Sequence, residues 1–170
     1  MDDRETLPLM FRIILIIFFS LSIFSNTFSN ELPTPRWVSV KHDAYLRYGP
    51  TKDANIIYHY LRSGYPIEVI RQTKEWRLVR DPRDGIEGWM HRSVLKGKRY
   101  AITFKSPFIY GYDNPKKNQI LAKLERDVLS EIEKCNANWC KLKIDYEDKD
   151  TTVWVEKKNL LGVYPHEIIR

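Results

Sequence analysis

From residue 37 onwards the chain consists of short runs in which apolar and polar side chains alternate, or in which β-branched and aromatic residues cluster. In the first half of this region the runs are 37–40, 44–48, 56–61, 66–71, 76–80 and 87–91. A period of two residues is typical of β-strands that bury one face. Turn residues separate the runs, notably Gly49-Pro50, Gly64 and Asp84-Gly85. The pattern therefore predicts an all-β region.

The same order of elements occurs a second time. Trp76 matches Trp139 at a spacing of 63 residues, and Trp89 matches Trp154 at a spacing of 65. Strands of the second copy are expected at 108–111, 120–124, 128–134, 139–144 and 151–155. A closing turn is expected near 93–95 in the first copy and near 159–161 in the second. Self-similarity at a fixed spacing, in short strands, indicates two small β-barrels in tandem.

One stretch of the second copy also fits a helix, because apolar residues between 119 and 132 fall at helical spacing. Its counterpart, residues 56–69, contains Gly64 and Pro66. A proline inside a helix removes a backbone hydrogen bond and clashes with the preceding turn. Since the two copies share one order of elements, we predict strands in both.

An apolar run near the N-terminus has the form of a targeting segment. Residues 13–19 are uninterrupted apolar sequence, Arg12 precedes them, and the small residues Thr27 and Ser29 suit cleavage before Asn30. These features predict a signal peptide over residues 1–29. The alternative is an uncleaved anchor in the inner membrane, although the run is shorter than the roughly 20 residues that span a bilayer. Either alternative predicts that the remaining chain is exported and is periplasmic or extracellular.

The predicted organisation has five parts: residues 1–29 as the leader, 30–36 as a linker with two prolines, 37–100 and 101–164 as the barrels, and 165–170 as a tail. Each copy has about 60 residues, a size at which a single hydrophobic core is only marginally stable. We therefore expect the two copies to pack together or to be stapled covalently.

Charge distinguishes the two copies. The chain has a net charge of +6 and 43% hydrophobic residues, which excludes wholesale disorder. Residues 44–100 contain twelve basic and six acidic residues, whereas 101–170 contain twelve and eleven. In an exported protein a basic first copy favours anionic envelope polymers or lipid head groups over nucleic acid. The charge also fits a simple role in solubility.

The two cysteines flank a short turn. Cys135 and Cys140 are placed to face each other across a hairpin, and an even pair in an exported chain suggests a disulfide. A zinc site or a catalytic thiol is not expected, because no histidine lies nearby in sequence. The acidic loop 145–150 lacks the central glycine and terminal glutamate of a calcium loop, which favours a solvated hairpin tip. We predict no metal and no cofactor.

The tryptophans and tyrosines are candidates for a binding groove, since aromatic rings stack on sugars or prolines. Trp76 with Tyr45, Tyr48 and Trp89 is placed to line such a groove in the first copy. We expect Trp89 and its counterpart Trp154 to lie mainly in the barrel cores. For Trp76 and its counterpart Trp139, the sequence does not decide between a position in the groove and one in the core.

The order of elements resembles the bacterial SH3 domain, also called SH3b. The resemblance rests on Leu46-Arg47-Tyr48-Gly49-Pro50, the turn at Gly64, Glu75-Trp76-Arg77-Leu78-Val79 and Gly88-Trp89-Met90-His91 with Leu95. The second copy lacks the Gly-Pro pair and has Val153 in place of the glycine before its second tryptophan. Its Cys135-x₃-Trp139-Cys140 motif is similar to that of tandem SH3-like proteins from proteobacterial envelopes. The resemblance covers residues 37–164.

This resemblance implies a binding module for peptidoglycan or for a peptide or protein segment, through an aromatic and basic groove. We expect the groove in the first barrel, with these ligand-binding residues: Tyr45, Arg47, Tyr48, Trp76, Arg77, Trp89 and His91. The alternative is a structural adaptor for an envelope enzyme or transporter, without glycan binding. Catalysis is not expected, because the sequence has no paired carboxylates, phosphate loop or nucleophile motif. Membrane contact is expected only through an uncleaved N-terminal segment.

Overall fold

The structure is a computed structural model that describes residues 32–105, 107–146 and 149–170. The predicted signal peptide, the first residues of the linker, and Glu147 and Asp148 of the acidic loop lie outside the described residues. Within those ranges the chain forms β-strands and two short 3₁₀ turns, which confirms the all-β prediction. None of the helical segments described is long and apolar enough to cross a membrane.

The first seven strands form one antiparallel sheet with the order β3-β2-β6-β5-β4-β1-β7. The strands are β1 (Arg36–Val40), β2 (Ala44–Arg47), β3 (Ile56–Tyr60), β4 (Pro66–Gln72), β5 (Trp76–Arg80), β6 (Glu87–His91) and β7 (Leu95–Lys96). A 3₁₀ turn, Arg92–Val94, lies between β6 and β7. The predicted strands all form in this sheet, which we call barrel 1.

The second sheet repeats this topology with the order β10-β9-β13-β12-β11-β8-β14. Its strands are β8 (Tyr100–Thr103), β9 (Phe108–Tyr112), β10 (Ile120–Glu125), β11 (Leu129–Cys135), β12 (Trp139–Tyr146), β13 (Lys149–Glu156) and β14 (Leu160–Leu161), with a 3₁₀ turn at Lys157–Asn159. The stretch 119–132 is therefore strand, as the repeat predicts. The sequence pattern did not indicate β8 or the two-residue strands β7 and β14. We call this sheet barrel 2.

Each barrel has its own hydrophobic core. The core of barrel 1 consists of Val38, Val40, Ala44, Leu46, Ile67, Val69, Val79 and Met90. The core of barrel 2 consists mainly of Ala101, Ile109, Leu124, Ile132, Leu142, Ile144, Val153, Val155 and Leu160, with the two cysteines. Both sets follow the two-residue period of the strands, which places alternate side chains inside.

The expectation that Trp89 and Trp154 fill the cores is wrong. On β6 the neighbours of Trp89, Gly88 and Met90, are buried, and Trp89 itself is only partly buried. Val153 and Val155 flank Trp154 in the same way. Because successive side chains of a strand point to opposite faces, both indoles lie on the outer surface.

The predicted disulfide forms between Cys135 and Cys140. The two residues are directly paired at the end of the β11–β12 hairpin, and both are buried. The closed loop is short, so its stabilisation belongs at the low side of the usual range of about 2–4 kcal/mol. The C-terminal residues add to this end of the barrel, because Cys135 exchanges two backbone hydrogen bonds with Ile169, at 2.8 and 3.1 Å.

The barrels contact each other directly, as the small size of each copy predicts. The Tyr164 hydroxyl, after the last strand, donates to the Glu68 carboxylate of β4 at 2.7 Å. An ion pair joins Arg83 and Asp127 at 2.6 Å. Gly162 packs so closely that a Cβ there would lie 2.7 Å from Pro66 Cβ, and its φ of +94° also favours glycine.

Barrel 1 contains a buried carboxylate with a complete set of partners. Asp81, in the β5–β6 hairpin, accepts hydrogen bonds from the Tyr60 hydroxyl at 2.8 Å and the Tyr65 hydroxyl at 3.0 Å. The backbone N–H of Arg83 donates to it at 2.8 Å. Burial, and then the nearby Asp81 carboxylate, raise the pKa of both tyrosines. Burial and the bond to Glu68 raise the pKa of Tyr164 in the same way.

We expect the free energy of unfolding to fall as the pH rises above about 10, the ordinary pKa of tyrosine. Tyr60, Tyr65 and Tyr164 stay protonated in the folded chain but ionise once it unfolds. Above that pH the unfolded state binds fewer protons and is favoured, whereas below it the stabilisation is fully present. Urea unfolding from about pH 8 to 11 measures the decline. A Tyr65→Phe variant should decline less steeply, and an equal slope would contradict the assignment.

Candidate ligand-binding surfaces

Five of the seven residues predicted to bind ligand share one outer surface of barrel 1. Strands β2, β6 and β5 are neighbours, and their register pairs Arg47 with Trp89 and Trp76 with His91. Tyr45 lies two residues before Arg47 on β2 and so faces the same way. We call this surface, formed by Tyr45, Arg47, Trp76, Trp89 and His91, the barrel-1 face.

The β2 side of the barrel-1 face is a stacked aromatic and cationic group. The Tyr45 ring lies on the His59 ring with centroids 4.3 Å apart and planes at 22°. The Arg47 guanidinium carbon lies 5.5 Å from the centre of the Tyr45 ring. Arg47 is held in place because its Nη1 donates to the Ala54 carbonyl at 2.7 Å. Tyr45 nevertheless remains 38% exposed and available to a ligand.

The β5 side combines an indole, an imidazole and an ion pair. The Trp76 and His91 rings meet edge to face, with centroids 5.4 Å apart. His91 Nε2 lies 3.5 Å from the Glu75 carboxylate, and Arg92 donates to that carboxylate at 2.9 Å. The hydrogen bond from Arg92 lowers the pKa of Glu75. The hydroxyl of Ser93 lies 2.6 Å from His91 Nδ1, so both ring nitrogens have polar neighbours.

Trp89 lies in the middle of the face, where the Arg71 guanidinium of β4 approaches its ring centre to 5.8 Å. Arg71 pairs with Leu78, which pairs with Trp89, so one row of outward residues crosses four strands. The sequence did not single out Arg71 as a partner of this indole, because the contact depends on sheet register. Cations over aromatic rings give this row a positive and apolar character.

The remaining two predicted residues lie apart from the face. Tyr48 follows β2 in the turn and is 73% exposed, which leaves its ring free to reach a ligand beside the face. Arg77 pairs with the buried Met90 and therefore points away from Trp76. Its guanidinium donates to the backbone carbonyls of Thr73 and Trp76, at 2.6 and 3.1 Å, and so braces the β4–β5 hairpin.

Barrel 2 carries a concave pocket of about 640 Å³. Its wall is mainly apolar and includes Trp139 at the start of β12, while Glu156 and Lys158 stand at its polar side. The residues that line it are Phe104, Ala137, Asn138, Trp139, Glu156, Lys157, Lys158, Leu160, Leu161, Val163 and Pro165. This volume lies within the range of about 300–1,000 Å³ typical of small-ligand sites.

A smaller and more polar pocket of about 260 Å³ adjoins it and shares Glu156. Lys117 lines this pocket and pairs with Glu156 at 2.7 Å, and Lys158 also pairs with that carboxylate. These two bonds lower the pKa of Glu156, and the bond to Glu156 raises the pKa of Lys117. The Lys117 ammonium also lies 5.6 Å from the Tyr112 ring centre and 5.5 Å from that of Trp139.

Of the residues in these pockets, the sequence pointed only to Trp139. In the larger pocket, several other walls come from segments distant in sequence, namely the residue after β8, the second 3₁₀ turn and the C-terminal residues. The smaller pocket also uses residues of β9. No local pattern brings such segments together. Over the part of the chain that the structure describes, no group of three or more His, Cys, Asp or Glu side chains is placed to hold a metal ion.

Comparison with known proteins identifies the family. A sequence profile of the bacterial SH3 domain matches residues 40–97 and 112–162. The two matches cover more than half of the 170 residues and coincide with the two copies, so the chain belongs to the bacterial SH3 domain family as a tandem SH3b protein. Bacterial SH3 domains are generally binding modules.

More specific relatives are distant. No curated protein sequence matches the chain significantly. The structure of NlpC1 from Trichomonas vaginalis is similar at 12% identity and a TM-score of 0.31, over 78% of this chain and 47% of NlpC1. The native structure of CBDP35 is similar at 14% identity and a TM-score of 0.26, over 78% of this chain and 95% of CBDP35. The chain thus spans about half the length of NlpC1, and neither similarity bears on its function.

Proposed function

We propose that this chain is a non-catalytic binding module of the bacterial cell envelope, exported to the periplasm or the cell exterior, that recognises peptidoglycan through the barrel-1 face. The family supports a binding role, because bacterial SH3 domains commonly bind peptidoglycan or other cell-wall components. The observation that carries the proposal is the grouping of Tyr45, Arg47, Trp76, Trp89 and His91 on adjacent strands of one exposed surface.

The chemistry of this surface suits a wall polymer. Aromatic faces such as that of Tyr45 on this surface, and that of Tyr48 beside it, stack on the C–H faces of sugars and on small side chains. Arg47 lies beside the Tyr45 ring and Arg71 beside the Trp89 ring. Guanidinium groups bind carboxylates through paired hydrogen bonds. Peptidoglycan presents both sugars and carboxylates, so one surface of this kind is able to engage both.

Sedimentation with purified sacculi tests this proposal. The double variant Tyr48→Ala, Trp76→Ala is expected to lose binding by about tenfold or more, since two aromatic contacts disappear. It should keep the folded circular dichroism spectrum, because neither ring belongs to the core.

The matched control is Tyr58→Ala, an exposed tyrosine on edge strand β3 outside the barrel-1 face. This variant should sediment with sacculi as the parent protein does. Undiminished sedimentation of the double variant would overturn the barrel-1 face as the binding surface.

The second candidate is a structural adaptor for an envelope enzyme or transporter. The pockets of barrel 2 favour it, because they offer an apolar cavity rather than a flat aromatic surface. A full-length chain that does not sediment with sacculi at all would support the adaptor over the wall binder.

A further inference from the structure

We propose that barrel 2 carries a separate binding site for an extended protein segment that has large apolar side chains next to an acidic residue. The site consists of the two adjoining pockets, of about 640 and 260 Å³, which meet at Glu156. It is distinct from the barrel-1 face in position and in shape.

The larger pocket sets the apolar part of the ligand. Trp139, Leu160 and Val163 line it, and its volume exceeds what a methyl side chain fills. Wall stem peptides carry mostly small side chains, so they would leave this pocket largely empty. A protein segment with leucine, valine or proline side chains fills it and gains about 0.8 kcal/mol for each methylene buried.

The smaller pocket sets the charge of the ligand. Lys105 and Lys117 both line it, and Lys158 lies beside it on Glu156. Lys117 and Lys158 share the single carboxylate of Glu156. With Lys105, three lysines therefore face one glutamate. Lys105 has no ion-pair partner among the described residues. An incoming carboxylate therefore finds a net positive site, whereas an incoming lysine or arginine does not.

Lys117 lies where the two pockets meet, because it lines the smaller pocket and contacts Trp139 and Glu156 of the larger one. Its ammonium group contacts the Tyr112 and Trp139 rings and pairs with Glu156, which fixes it at the boundary. A cation held by three partners is preorganised, so little of its conformational freedom is lost when a ligand binds. Apolar and acidic groups must therefore be close neighbours in the ligand.

If both surfaces act, the chain holds a partner protein against the cell wall. Barrel 1 would bind the polymer, while barrel 2 would bind the protein segment. The direct packing of the barrels through Tyr164 and Glu68 keeps the two sites at a defined separation.

Fluorescence anisotropy with synthetic peptides tests the inference on the full-length chain. The probes are a labelled peptide rich in leucine, valine and proline with one glutamate, the same peptide with glutamine or lysine in place of glutamate, and a serine- and glycine-rich peptide that keeps the glutamate. The apolar peptide with glutamate should bind most tightly. Equal binding of all four peptides, or no binding of any, would overturn the inference.

Variants of the chain locate the site. Ala137→Trp should weaken binding of the apolar acidic peptide by about tenfold or more, because an indole at this exposed lining position fills the larger pocket. Ala137→Ser is its control and should bind as the parent chain does.

Lys117→Gln should weaken binding about two- to fivefold and reduce its salt dependence. Lys116→Gln, the neighbouring exposed lysine outside both pockets, should have no effect.

The outcomes separate this inference from the proposed function. Peptide binding that survives in Tyr48→Ala, Trp76→Ala but fails in Ala137→Trp would support a second site. Peptide binding that persists in Ala137→Trp would overturn it. Loss of sacculus sedimentation in Ala137→Trp, with no peptide bound by the parent chain, would identify the pocket as a wall site instead and would also overturn it.

Discussion

Replacement of Asp81 by alanine is expected to lower the free energy of unfolding by about 2–4 kcal/mol, because three partly buried hydrogen-bond donors lose their buried acceptor together. The hydroxyls of Tyr60 and Tyr65 and the N–H of Arg83 all donate to this one carboxylate. Each donor left unpaired away from water costs about 1–3 kcal/mol. Urea unfolding at neutral pH, followed by tryptophan fluorescence, measures the loss.

Two further variants make the result specific to the buried cluster. Asp81→Asn retains one side-chain oxygen that is able to accept from a tyrosine, so it should lose less stability and also report if Asp81→Ala does not fold. Asp84→Ala removes an exposed carboxylate of the same hairpin, which accepts from Tyr58 and Ile86. This second change should cost about 1 kcal/mol or less. Equal costs at positions 81 and 84 would contradict the role of Asp81.

Much of this fold could be predicted from the sequence, because β-strands and their turns have local sequence signatures. The alternation of side chains and the turn residues placed the long strands within a residue or two, and the Cys135–Cys140 pair followed from two cysteines on either side of a short turn. The same period also determines that Trp89 points outward, because Gly88 and Met90 point inward. The size and hydrophobicity of the indole suggested that it lies in the core, but the geometry of the strand places it on the outer face.

Contacts between segments distant in sequence could not be predicted from the local pattern of residues. No sequence pattern distinguishes Asp81 from other aspartates in turns, and only the fold brings the Tyr60 and Tyr65 hydroxyls to it. Arg77 looked like part of an aromatic and basic groove, but its register places it opposite Met90. The larger pocket of barrel 2 includes Val163 and Pro165, which follow the last strand and belong to no matched element of the repeat.

The second copy departs from the family pattern at Val153, and the structure supplies a physical reason. In barrel 1, strand β6, which carries Trp89, passes close to β2. A Cβ on Gly88 of β6 would lie 2.7 Å from Leu46 Cγ. In barrel 2 the small residue has moved to the partner strand, where a Cβ on Gly111 would lie 2.8 Å from Val153 Cβ. Tyr112 pairs with Trp154 as Arg47 pairs with Trp89, so Gly111 stands where Leu46 does. The large and small members of the pair have been exchanged between strands.

Exchange of Gly111 and Val153 is therefore expected to be tolerated better than either single change. Gly111→Val alone overfills the contact and should cost about 2–3 kcal/mol. Val153→Gly alone leaves a cavity at a fully buried position and should cost about 2–4 kcal/mol. In the double variant the new valine occupies the space that Val153 vacates, so we expect a favourable coupling energy of about 1 kcal/mol or more.

Urea unfolding of the parent chain, both single variants and the double variant measures this coupling. Gly97→Val is the matched control, because nothing lies within 4 Å of a Cβ at that position, and it should change stability by about 0.5 kcal/mol or less. Additive losses in the double variant would show that Gly111 and Val153 do not share one space. A favourable coupling would show that the second barrel keeps its close strand approach by complementary volume, so that the missing glycine marks an exchange of partners rather than a weakened fold.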